Sequence, residues 1–208
     1  MPAEDPRVRR LRSEYEHLME LKARSDLIDF QYFLVLPGTP PERYIVTFRC
    51  RGIASVDASR RPVYSNEHKV AIYLDATYPS IPPRMKWLTP IWHPNIEHKE
   101  PHRVCIDNTW WAPGRTIDKV VLMLGEMVQY KNFHPYQTPP YPIDPEVASW
   151  VLWAQAQGIL KAPVDTAELR RPERVRTNLR EEQPPPKPRV RVIDDRADAY
   201  ENRVRIVE

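Results

Sequence analysis

Between residues 93 and 113 the chain gathers an unusual set of reactive side chains around one cysteine: His93, Asn95, His98, His102, Arg103, Cys105, Asp107, Trp110 and Trp111. A thiol does little as a thiol and reacts as the thiolate, so a neighbouring histidine or Arg103 governs what this sulfur can do. An Asn amide near a reacting carbonyl can hold the oxyanion that develops there. Read as a nucleophile, Cys105 would carry a covalent acyl group. Asn95 would then steady the oxyanion or brace the loop, and His93 would fix the turn by bonds to backbone or serve as a base. Read as a ligand, Cys105 joins His93, His98 and His102 as a tetrahedral zinc set. Those spacings match no common zinc finger, and no paired Cys-x-x-Cys is present.

Five segments, in order, resemble the ubiquitin-conjugating enzymes. They are Tyr78-Pro79-Ser80-Ile81-Pro82-Pro83, His93-Pro94-Asn95, Val104-Cys105-Ile106-Asp107, Trp111-Ala112-Pro113 with Thr116-Ile117, and Pro145-Glu146-Val147-Ala148. The resemblance spans roughly residues 5 to 155. It implies an α+β, UBC-like fold: an N-terminal helix, a four-stranded antiparallel meander, an active-site loop and C-terminal helices. It implies that Cys105 accepts a ubiquitin-like modifier from an activating enzyme as a thioester and passes it to an amine, usually a lysine, on a target protein. Asn95 and His93 are its further catalytic candidates, and Asp107 and Trp111 its supporting ones. No cofactor is implied. A non-catalytic relative that only binds ubiquitin-like proteins is the alternative, although such relatives usually lack the cysteine. The chain departs from the family pattern in three places. The loop from Asn95 to Cys105 is longer than usual, the stretch from Cys105 to Trp111 is shorter, and the acidic residue that acts on the incoming lysine has no clear match near Thr138-Pro139-Pro140-Tyr141.

The remaining pattern must supply the frame. Asp5-Pro6 opens a helix in which Val8, Leu11, Tyr15 and Leu18 repeat at helical spacing. Its other face carries Arg9, Arg10 and Arg12, a surface that in the resembled family meets the activating enzyme. Strands are expected at 30–36, 43–49, 68–75 and 84–88. A helix capped by Thr116 or Asp118 should run to about Tyr130, and another should start at Pro145. These give a catalytic domain over 1–159. A charged, Pro-rich linker follows over 160–188. Residues 189–208 form a strand-like extension, in which Arg189-Val190-Arg191-Val192-Ile193 and Arg203-Val204-Arg205-Ile206-Val207 nearly repeat.

Composition bounds the partners. The 208 residues are 41% hydrophobic, enough for one good core and an appendage. A net charge of +3 is too balanced to argue for nucleic acid, so none is expected as a partner. No apolar run approaches the ~20 residues that a membrane span needs, so no membrane association is expected. Two cysteines make no disulfide framework, and with no signal peptide visible a cytoplasmic setting is expected. Arginine outnumbers lysine, which suggests a GC-rich, bacterial coding genome.

Overall fold

The computed structural model describes residues 5–106 and 111–170. Helix α1 (Pro6–Ala23) starts as expected, with the Asp5 carboxylate accepting the Arg7 amide at 2.8 Å and proline in the first turn. It turns Leu11, Leu18 and Leu21 inward. The strands that follow are β1 (Ile28–Phe33), β2 (Arg43–Phe48), β3 (Gly52–Val56), β4 (Pro62–Ser65), β5 (His68–Tyr73) and β6 (Arg84–Trp87). Four of them form one antiparallel sheet in the order β1-β2-β5-β6, the expected meander. One register row crosses it as Phe30, Val46, Val70 and Trp87, all buried, so side-chain alternation alone turns one face to the core. Helix α2 (Ile117–Val128) packs there with Val120, Val121, Leu124, Met127 and Val128 buried. Helix α3 (Pro145–Ala156) forms a second cluster, in which Val147, Trp150, Val151 and Ala154 meet Trp92, Ile53 and Tyr130.

The structure departs from expectation in three places. The first strand ends at Phe33 rather than 36, because Leu36 accepts both the amide and the hydroxyl of Thr39 and the chain turns through Gly38 at φ +80°. Residues 32–36, Tyr-Phe-Leu-Val-Leu, are therefore exposed. The β3–β4 hairpin was not expected. Its turn is held by the Asp57 carboxylate, which accepts the amides of Ser59 and Arg61 at 2.8 Å each. The chain expected to begin a linker at 160 instead packs back on the core through residue 170. Leu160 and Leu169 are buried, Gln129 O accepts the Val164 amide at 2.8 Å, and Asp165 accepts the Arg51 amide at 2.9 Å. The rest of that linker and the strand-like extension to 208 lie outside the described residues.

Cys50, two residues past the end of β2, is buried, and burial pushes its thiol up to about 12. Gly52 stands where β5 and the end of α2 pass close by. A Cβ there would lie 2.6 Å from His68 Nε2 and 2.7 Å from Val128 Cγ1. Gly52→Ala should therefore cost about 1–3 kcal/mol, read as a lower urea midpoint at constant slope.

Candidate active site

The site is built by one short hairpin. After β6 the chain runs inward to His93, whose carbonyl accepts the Ile96 amide at 3.1 Å in a tight turn. Ile96 then pairs with Val104, and Asn95 O accepts the Cys105 amide at 3.0 Å. Main chain alone thus places Cys105 beside Asn95, across the tip formed by residues 97–103. Cys105 is half-buried, and neither cysteine is in a disulfide.

His93 is fully buried. Its Nδ1 accepts the Asn95 amide at 3.2 Å, so Nε2 carries the proton and donates to Asn132 O at 3.2 Å. Burial pushes its pKa down to about 3, which keeps the ring neutral across the physiological range. The ring is a bracket between the His-Pro-Asn turn and the loop that follows α2. Asn95 does the same one residue-pair further on. Its Oδ1 accepts the His134 amide at 2.8 Å and its Nδ2 donates to His134 O at 3.1 Å. That uses one of two amide hydrogens and leaves a second to give.

The side chains of the zinc alternative are not gathered into one set. His93 is committed as described. His98 Nδ1 donates to Asp144 at 2.6 Å, and His102 Nδ1 faces Glu97 O at 3.3 Å. Among the described residues no three His, Cys, Asp or Glu side chains are gathered as a metal set. His102 adopts φ 57° to turn the hairpin tip, and Arg103 pairs with Glu97 along it. Asp144, the acid nearest in sequence to the missing one, is also spoken for. It is buried and accepts the His98 amide at 3.0 Å, the His98 ring, and the Val147 amide at 3.1 Å as the cap of α3. The His134 ring lies between Tyr141, stacked at 5.1 Å, and Tyr136.

Of the other expected residues, Trp111 is buried and its indole donates to Pro79 O at 2.9 Å, while Asp107 lies outside the described residues. The arginines of α1 separate. Arg9 and Arg12 are exposed. Arg10 is half-buried and its guanidinium is used internally, on Glu14, Tyr78 OH, Pro113 O at 2.7 Å and Arg115 O. Sequence reading missed its main partner, Glu14, which is fully buried. Its signal was the four-residue spacing from Arg10, which reads equally as a solvated ion pair.

The same frame and motifs occur in known proteins. Residues 53–147 match the family model described as ubiquitin-conjugating enzyme. The chain is 43% identical over 58 residues to the human NEDD8-conjugating enzyme UBE2F, a match covering 24% of this chain and 30% of that protein. It is 27% identical over 99 residues to ubiquitin-conjugating enzyme E2 13 of Saccharomyces cerevisiae, covering 47% and 63%. The chain thus spans about a third of the length of the curated UBE2F relatives it matches. A Plasmodium yoelii chain assigned to the ubiquitin conjugating enzymes shares the fold at TM-score 0.50 and 20% identity, covering 76% of this chain and 90% of that one. The fold and the ordered site residues define a UBC-like domain. The match to the ubiquitin-conjugating enzyme model lies in residues 53–147, just under half of the chain. Among the described residues no helix is long and apolar enough to cross a membrane.

Proposed function

We propose that the chain conjugates a ubiquitin-like protein to target proteins through a thioester on Cys105. The Cys105 thiolate attacks the carbonyl carbon of the modifier's C-terminal thioester on an activating enzyme, and that enzyme's cysteine leaves as thiolate. A target lysine amine then attacks the same carbon. The bond to the Cys105 sulfur breaks, the thiolate departs, and the nitrogen gives up a proton. The observation that carries this reading is the half-buried Cys105 held by its own amide against Asn95, in a turn locked by a neutral His93. The match to ubiquitin-conjugating relatives supports the choice of a ubiquitin-like modifier.

Asn95 is the oxyanion donor in this reading, with its remaining amide hydrogen, and its bonds to His134 keep that amide aimed. His93 fixes the turn and does not act as the base, since a ring this hard to protonate takes up little at neutral pH. Arg9 and Arg12 form the α1 contact for the activating enzyme, while Arg10 holds the fold together. Trp111 and Asp107 steady the segment after the sulfur.

The test is an adduct assay. Incubation with a cognate activating enzyme, ATP and modifier should give a reductant-sensitive adduct of the summed mass. Cys105→Ala should abolish it, and Cys50→Ala should leave it intact. Binding without an adduct in the native chain would sink the proposal in favour of a scaffold.

A further inference from the structure

We propose that Glu14 is a positioning residue for Cys105, acting through the two segments that flank the sulfur in sequence. Its carboxylate has no exposed surface, yet both oxygens are in use. Oε1 accepts from Tyr78 OH at 2.6 Å and from Arg10 Nε, and Oε2 accepts the Ile117 amide at 2.7 Å. Tyr78 begins the proline-rich crossing that leads to the site, and its neighbour Pro79 receives the Trp111 indole. Arg10, held by Glu14, reaches Pro113 O and Arg115 O. One side chain on α1 therefore fixes Tyr78–Pro79 upstream of Cys105 and residues 111–117 downstream.

Two features argue that this arrangement sets geometry and does not merely add stability. Leu11, Leu18 and Leu21 already bury α1, and a buried ion pair is often no better than apolar residues of the same shape. What the carboxylate adds is direction: three donors from three separate segments, the furthest 103 residues away, meet on two oxygens. The Ile117 amide is also the first of α2, whose own Thr116 hydroxyl bonds Asp118 and leaves the helix end to Glu14. Thr116 holds the N-cap position as expected, but its hydroxyl donates to Asp118, so the carboxylate that meets the first amide is that of Glu14.

The proposal rests on the reading of Cys105 as the reacting thiol. Its test needs neither modifier nor activating enzyme, so the two can fail separately. In the full chain, the iodoacetamide rate at Cys105 is followed by peptide mass at neutral pH, far below each variant's Tm. Glu14→Gln sets an amide donor against either the Ile117 N–H or the Arg10 Nε–H, whichever way the amide turns, and Tyr78→Phe removes a single hydroxyl from the node. Both should raise the rate about fivefold as the flanking segments loosen, the size expected for one lost hydrogen bond. Val151→Ala, in the separate α3 cluster, should lower Tm comparably and leave the rate unchanged. Wild-type rates in both node variants would overturn the proposal. So would rates that simply follow Tm across all three variants. If Glu14→Gln fails to fold, Tyr78→Phe decides by the same comparison.

Discussion

Asn95→Ala is expected to slow discharge of the Cys105 thioester to free lysine by about 100-fold while a loaded adduct still accumulates. The loss combines two effects that the structure allows to be separated. Alanine removes the donor proposed for the developing oxyanion, and it also cuts both bonds to His134. Asn95→Asp keeps the acceptor for the His134 amide and lacks any amide hydrogen. If oxyanion binding dominates, Asp should be as slow as Ala in discharge. If bracing dominates, Asp should recover much of the rate. Single-turnover discharge of preloaded enzyme gives the answer, and an Asn95→Ala variant with native discharge would remove Asn95 from the mechanism. Either change should cost about 1–3 kcal/mol in stability, because a part-buried backbone group at His134 loses its partner.

The second large effect concerns acid. His93 has its pKa pushed down to about 3 by burial, against about 6.5 in an unfolded chain. Between those values the unfolded state holds a proton that the native state lacks, so stability falls as pH falls. His93's contribution is complete above about pH 6.5 and declines by about 1.4 kcal/mol per unit below it. Between pH 7 and pH 5 the loss should be about 2 kcal/mol from this residue. His68, lowered by its own burial, adds to it. The carboxylates held low by partners, Asp29, Asp75, Glu67 and Glu97, act only at more acid pH and leave this window to histidine. Urea unfolding at pH 7 and pH 5 measures it. Coincident curves would mean that His93 is not sealed as described.

Much of the frame was legible because it depends on period. Tyr44, Val46 and Phe48 alternate in β2, and the buried stripe of α2 repeats at helical spacing. Both face a core that any hydrophobic pattern would seek. The ordered motifs likewise named Cys105, Asn95, His93 and Trp111. What sequence did not reveal was set by distant partners. Glu14 reads as a wet charge until Ile117 and Tyr78 arrive from elsewhere in the chain. Arg10 was placed with the outward arginines for the same reason. Asp144 directly precedes the expected helix start at Pro145, but its role in fixing His98 depends on a hairpin 46 residues earlier. The chain after 160 looks too charged to pack, yet one leucine, Leu169, closes over Gly125. The β3–β4 hairpin was missed because its outer strand is short and half-exposed, so it shows no alternation.

Sealing Cys50 inside has a practical outcome. With that sulfur shut away and almost wholly protonated at neutral pH, the native fold offers chemists a single address. A fluorophore or spin probe supplied to the unmodified protein should report on the hairpin at 105 alone. Traffic through the site could then be watched spectroscopically in the natural sequence.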